Sequence, residues 1–516
     1  MVIQSPVFWR LIGMGPVPTQ AIGNHRSGTG TREDPYLIDW LPDDPQNPMA
    51  FPAWKKWALA ALSASTTVAV TLASSAYTGG MAQIREEFGT ANEVATLGVS
   101  LYVLGFAVGP LVWASLSEAY GRQSLFVLSF AGFTAFNAGC AGAPNIQSLV
   151  ILRFLAGSCA SSGLTNAGAV ISDLFDSSQR GLAMVFFATA PALGPVLGPI
   201  IGGFLGMTCG WRWVEGLMAI FSGALWILGM LFVPETYSPV LLQRRAALLS
   251  AQTQKVHRSR LDADKPPLDL CGVLKVNLAR PWVLLAREPI VSLLSLYMAI
   301  IYGILYMLFA AYPIVYQQHR GWNEGVGGLA FLGILVGFVP AIAFAIPDNT
   351  RCTQALAPHP EARLRGCMLG GLAMTASLFW FAWTNAPGVH WLASVAAGVP
   401  FGFGALLIFL SIFNYLVDTY TVYSASVLAA NSLLRSLFGC VFPLFTTYMY
   451  DRLGLHWAAC VPAFLALACT PLPFVFYTFG RDIRSRCRYA AESARFMETM
   501  RAGQAQGNSD LGGRKQ

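Results

Sequence analysis

Two arginines stand inside apolar runs long enough to cross a membrane: Arg153 within Leu149–Ile171 and Arg435 within Ala425–Met449. A guanidinium at the bilayer centre costs about 2.5–3.5 kcal/mol on insertion scales, so it is retained for a purpose. That purpose is coupling to a proton or substrate, or bonding to backbone carbonyls. Carboxylates are scarcer. Glu215 sits at the edge of Val214–Val233 and Asp418 at the edge of Trp391–Val417, and no Asp or Glu lies deeper in any run. A cation close to a carboxylate lowers its pKa, so Arg153 and Arg435 are placed to tune a proton-exchanging acid. A third group lies in the turn ending Ser117-Glu118-Ala119-Tyr120-Gly121-Arg122, where a glycine, an acid and an arginine suit a tight connection with an ionic latch.

Polar and aromatic residues inside the runs are candidates for a ligand pocket, which is apolar with a few placed polar groups. They are Asn166, Tyr297, Tyr302, Tyr306, Asn414, Tyr415 and Asn431. Tyr302 and Tyr306 are four apart and share a helix face. Helix packing and interfacial anchoring are the competing roles for each. Few charges among aromatics suit a bulky, apolar or weakly polar ligand. No nucleophile elbow, zinc-binding His-Glu-x-x-His or phosphate-binding glycine loop occurs, and no His, Cys, Asp or Glu set has metal-ligand spacing, so no catalytic residue, metal or cofactor is expected. Without a nucleotide site, an ion gradient is the remaining energy source.

These residues have to be positioned by membrane helices. Asp, Glu, Lys and Arg make up 11% of 516 residues, against about 25% in soluble domains, and the apolar share is 55%. That composition excludes a soluble enzyme, a nucleic-acid-binding domain and a disordered chain. Twelve apolar runs between Trp57 and Phe479 are each near the ~20 residues a spanning helix needs. Of the 33 basic residues, Arg85, Arg212, Arg320 and Arg452 fall on one side, Arg153 and Arg435 fall within runs, and the remaining 27 fall on the other side. The positive-inside bias then puts both termini in the cytosol. The expected order is a cytosolic arm (1–56), six helices (57–233), a cytosolic loop (234–288), six helices (289–479) and a cytosolic tail (480–516). A repeat is visible in residue spacing. Asp173 and Asp418, Gly194 and Gly439, and Gly157 and Gly402 are each 245 apart. Repeated halves around a midplane site are a property of secondary transporters.

The fifth run reads Gly194-Pro195-Val-Leu-Gly198-Pro199-Ile-Ile-Gly202-Gly203. Gly194, Gly198 and Gly202 share one face and allow a second helix to approach closely. The two prolines remove backbone donors and bend the segment. Together with the Gly109–Arg122 stretch, Leu152-Arg153-Phe-Leu-Ala-Gly157, Gly210-Trp211-Arg212-Trp213, Pro234-Glu235-Thr236-Tyr237 and Ala430-Asn431-Ser-Leu-Leu-Arg435, this pattern resembles the major facilitator superfamily. The closest likeness is to its fungal twelve-helix drug:proton antiporters. The resemblance runs from about Asp39 to Tyr489. It implies an all-α membrane fold with two six-helix repeats, and it matches Glu118, Arg122 and Asp173 to that family's charge relay, Arg153 to its coupling arginine and the fifth-run glycines and prolines to its antiporter motif.

The function expected is proton-coupled efflux of drugs, toxins or secondary metabolites such as mycotoxins, by a monomer whose partners are a small-molecule substrate, protons and the lipid bilayer, with no nucleic acid. The plasma membrane is the expected site, with the vacuolar membrane as the other choice. An importer or polyamine carrier of the same superfamily, and a non-transporting sensor, are the alternatives.

Overall fold

The computed structural model describes residues 30–31, 34–40, 44–175, 177–260, 270–354, 359–493 and 495. Most of the expected arm (1–29), part of the central loop (261–269) and most of the tail (496–516) lie outside the described residues.

The chain starts with a short strand β1 (Tyr36–Ile38), then α1 (Ala53–Ala76), α2 (Met81–Phe88), α3 (Asn92–Tyr120), α4 (Arg122–Ala141), α5 (Ile146–Leu174), α6 (Ser177–Cys209) and α7 (Trp211–Phe232). Next come α8 (Ser238–Thr253), β2 (His257–Ser259) and α9 (Leu270–Arg287). The second set is α10 (Pro289–Tyr312), α11 (Glu324–Leu329), α12 (Leu332–Gln354), α13 (Arg365–Thr384), α14 (Trp391–Ala396), α15 (Gly398–Thr419), α16 (Ser424–Cys469) and α17 (Pro471–Arg486).

Eleven segments among the described residues are long and apolar enough to span a bilayer. The last covers Thr421–Arg486, 66 residues, far more than the ~20 that one crossing needs. Gly454 interrupts α16 with φ 73°, ψ 174°, dividing it into two helices and bringing the count to the twelve expected. Helices are obligatory here, because lipid offers no partner for unpaired backbone groups.

The described contacts fall into two compact units, and several helices contribute to both. One comprises Met1–Ala73, Val108–Gly194 and Glu215–Lys275. Its core gathers Leu59 and Ala60 of α1, Ala167, Val170, Ile171 and Leu174 of α5, and Ala183 and Phe187 of α6. Asn145 caps α5 by accepting from the Ser148 amide at 2.8 Å. The arm is docked in this unit: β1 pairs in parallel with β2, Tyr36 opposite His257, and Ile38 packs with Leu242, Ala246 and Leu249 of α8. Beneath them the Asp44 carboxylate accepts from Arg245 at 2.6 Å, with side-chain exposures of 0% and 3%.

The other unit comprises Ser74–Ala107, Pro195–Val214 and Val276–Gln516. At its base Glu288, 1% exposed, accepts from the Tyr420 hydroxyl at 2.8 Å and from the Tyr489 amide at 3.0 Å, holding helical residues 488–493. Asp44 to Arg245 and Glu288 to Tyr489 are both 201 residues apart. The second pair is thus displaced from the first by 244 residues, close to the 245-residue spacing seen in the sequence.

The glycine face of α6 lies against α1. A Cβ at Gly194 would meet the Thr71 hydroxyl and the Leu72 amide, one at Gly198 would meet Ser75 and the Ala76 amide, and one at Gly202 would meet the Ala76 carbonyl. Neighbouring backbone closes on the same stretch at Gly203, against the Glu324 carbonyl, and at Pro199, whose carbonyl faces Gly328. The absence of side chains is what permits these approaches.

Candidate functional site

In the first unit Arg153 is completely buried on α5, and its Nη1 lies 3.3 Å from Glu215 Oε1 on α7 and 3.4 Å from Oε2. The same nitrogen donates to the Ala73 carbonyl of α1 at 2.9 Å. Glu215 is 1% exposed. The sequence places it at an edge; the structure buries it there, in the first turn of α7, with the Arg153 guanidinium of α5 against its carboxylate. Arg153 thus has an acid partner and a carbonyl partner. A buried ion pair of this kind is costly to desolvate and strongly disfavours loss of either member.

At the base of α4, Arg122 Nε lies 3.3 Å from Asp173 Oδ2, and its Nη1 donates to the Ser117 hydroxyl at 2.7 Å. Glu118 is exposed and makes no hydrogen bond or ion pair among the described residues. The buried acid at this spot is Glu235. Its Oε1 accepts from the backbone amides of Arg122 at 2.9 Å, Thr236 at 3.0 Å and Tyr237 at 2.9 Å, and its Oε2 accepts from Gln123 at 3.3 Å. A carboxylate at a helix N-terminus satisfies donors that have no partner within the helix and complements the dipole. Gly121 takes φ 96°, and a Cβ there would strike the Glu235 carboxylate. In the sequence Glu235 is marked only by its place in Pro234-Glu235-Thr236-Tyr237, an acid directly after a proline at a span's end. Asn166 lines a small crevice with Arg122, Ser63 and Thr66.

The second unit has a similar tether. Arg363 Nε lies 2.9 Å from Asp418 Oδ2, and its Nη1 bonds Asn349. Asp418 is 40% exposed, so it sits at the boundary of α15 as the sequence suggests. Glu361 pairs with Arg484 at 3.2 Å, and a Cβ on Gly480 would press on Glu361.

The candidate pocket residues do not form one cluster. Tyr297 is buried and faces Gly371, and Asn431 donates to the Ser295 hydroxyl at 3.3 Å. Tyr415 is buried and Asn414 half-buried on α15. Tyr302 donates to the Tyr306 hydroxyl at 3.3 Å, and Tyr306 shares a 2.8 Å hydrogen bond with Ser74. Arg435 joins this pair: its guanidinium carbon lies 4.8 Å from the Tyr302 ring centroid and 5.2 Å from that of Phe409. No group of three or more potential metal ligands occurs among the described residues.

Residues 63–443 match the family model of the Major Facilitator Superfamily. The chain is 57% identical over 510 residues to an MFS-type efflux pump (MFS2) of Trichophyton rubrum, covering 98% of this chain and 86% of the relative. It is also 57% identical over 503 residues to the major facilitator superfamily multidrug transporter mdrA of Aspergillus fumigatus, covering 96% and 83%. An efflux pump of Gibberella moniliformis, FUB11, is 54% identical over 93% of this chain and 82% of its own length. Among solved structures, the proton:xylose symporter XylE superimposes with a TM-score of 0.59 at 14% identity, covering 83% of this chain and 96% of that one. The human organic anion transporter MFSD10 superimposes at 0.55 with 16% identity, covering 82% and 100%. At these identities the structural likeness concerns the fold.

Proposed function

The chain belongs to the Major Facilitator Superfamily, and on that premise we propose that it exports bulky, largely apolar molecules, of the drug, toxin or secondary-metabolite kind, in exchange for protons. It is a multi-pass membrane protein acting on a small-molecule substrate in a lipid bilayer. The names of the fungal relatives, efflux pump and multidrug transporter, support the outward direction.

The observation that carries the coupling is the fully buried Arg153–Glu215 pair. Protonation of Glu215 removes the charge that Arg153 faces and weakens the charge-assisted bonds between α5 and α7. Arg153 then keeps the Ala73 carbonyl alone among these partners. A proton arriving at Glu215 therefore changes how α1, α5 and α7 are tied together. In a transporter of two repeats, 57–233 and 289–479, such a change biases the exchange of a midplane site between the two sides. Arg122–Asp173 and Arg363–Asp418 hold the ends of the helices that have to move as bodies. No covalent step and no cofactor is needed. We place both termini in the cytosol, the protein in the plasma membrane and the working state as a monomer.

The test is efflux of a fluorescent apolar dye from cells expressing the chain. Collapsing the proton gradient raises dye retention to that of cells lacking the protein. Efflux that follows ATP and ignores the gradient overturns the coupling.

A further inference from the structure

We propose that Arg435 anchors a binding site for the carboxylate of an amphipathic organic acid. Arg122, Arg153, Arg245, Arg363 and Arg484 each have a carboxylate within 4 Å. Arg435, inside a membrane-spanning helix, has no carboxylate partner among the described residues, and its Nε is buried without an acceptor. A charged residue at this depth faces the protein interior or a water-filled cavity rather than lipid, and marks a substrate or ion pathway.

The surroundings of Arg435 are aromatic. The rings of Tyr302 on α10 and Phe409 on α15 lie within cation–π range of the guanidinium. Ring faces stabilise the cation without neutralising it or using its N–H donors. A guanidinium offers those donors as a planar fork that matches a carboxylate in two parallel bonds. Gly439, one turn beyond Arg435, makes room for the Tyr302 ring, since a Cβ there would approach it to 3.0 Å. Arg435, Tyr302 and Phe409 are each half-buried, so the cluster is not sealed on every side. The Tyr302 hydroxyl donates to Tyr306, which is bonded to Ser74, so the ring beside the cation is held in place by hydrogen bonds that leave the guanidinium donors unused. A ligand fitting this arrangement carries one anionic head and an aromatic or alkyl body. An amine of the same shape is repelled, and an ester loses the charge-assisted bonds.

This deepens the function proposed above and rests on it only in treating the bound acid as cargo. Binding of 4-butylbenzoate, naphthalene-2-carboxylate and decanoate to the purified full chain in nanodiscs of neutral lipid is measured beside binding of their methyl esters, with no gradient present. At least one acid should bind about tenfold more tightly than its ester, and Arg435→Gln should remove that preference. Arg435→Lys, which keeps the charge and loses the fork, should retain an intermediate preference and shows whether the position tolerates substitution. Equal affinity for acid and ester across the set, an acid preference that survives Arg435→Gln, or loss of acid binding when phosphatidylglycerol is added each overturns the proposal. Gradient-driven dye efflux in the same preparation is scored separately. If that fails while acid binding depends on Arg435, the exporter reading falls and the site stands.

Discussion

Glu215 and Arg153 show what burial does to a pair of charges. Neither touches water, and each is the other's counter-charge at 3.3 Å. Replacing Arg153 by Ala leaves a buried carboxylate with no cation, a change that costs about 3–5 kcal/mol unless the acid takes up a proton. Arg153→Ala is therefore expected to reach the membrane and to lose efflux. Glu215→Gln separates the proton from the packing, because the amide keeps the shape and mimics the protonated acid. Efflux driven by the gradient should fall to background while substrate binding by the purified protein remains, and proton-driven efflux at the wild-type rate in Glu215→Gln would remove this acid from the mechanism. Gly121 makes a separate point. Its φ of 96° and the carboxylate of Glu235 beneath it leave no room for a methyl group. Gly121→Ala combines backbone strain with displacement of the acid that caps α4, and should destabilise the protein by about 1–3 kcal/mol, read as a lower apparent melting temperature in detergent.

Between elements, the structure joins segments that precede a set of helices to segments that follow it. Asp44, ahead of α1, is bonded to Arg245 on α8, with β1 alongside β2 and Trp40 under the same guanidinium at 5.2 Å. Glu288, ahead of α10, is bonded to the chain after α17. Both acids are buried, so removing one partner strands a buried polar group, which costs more than breaking an exposed ion pair worth about 0–1 kcal/mol. Asp44→Ala and Arg245→Ala should each lower the melting temperature, and the double variant should lose less than the sum of the two; additivity would mean that the pair is not coupled. The Glu288 side makes a chemical prediction as well. Cys487 is buried, and burial first, then the Glu288 charge, pushes its thiol up to about 11. The thiol is therefore protonated at pH 7.5, and its labelling by a maleimide should be slow and should accelerate as pH rises towards 11. Glu288→Gln should bring that acceleration to lower pH. A labelling rate that is flat in pH, or unchanged by Glu288→Gln, contradicts this.

For the whole molecule, what could be read in advance depended on how far apart the cooperating residues lie. Spans follow from local composition. The close approach at Gly194, Gly198 and Gly202 follows from a spacing of four, which any helix turns into a face. Glu235 carries no such signal, because an acid that bonds a backbone amide 113 residues away leaves no spacing to detect. Glu215 lies near a span's end in sequence and in structure, but its burial depends on Arg153, 62 residues away, and Glu118 lies outside the Arg122–Asp173 pair because, on α3, it is exposed. The two 201-residue closures were equally hidden, yet they bear most directly on how the chain is divided. Each closure brackets one of the two proposed repeats, 57–233 and 289–479. A chain cut after Lys265 leaves Asp44 with Arg245 on one fragment and Glu288 with Tyr489 on the other. The fragments 1–265 and 266–516, produced together, should reassemble and restore dye efflux. A cut after Val233 separates Asp44 from Arg245 and Glu235 from the α4 amides it caps, so fragments 1–233 and 234–516 should accumulate poorly and restore little. Equal recovery from both cuts would show that the buried closures do not hold the repeats together; no recovery from the first cut, with both fragments present in the membrane, would show that the halves are not independent folding bodies.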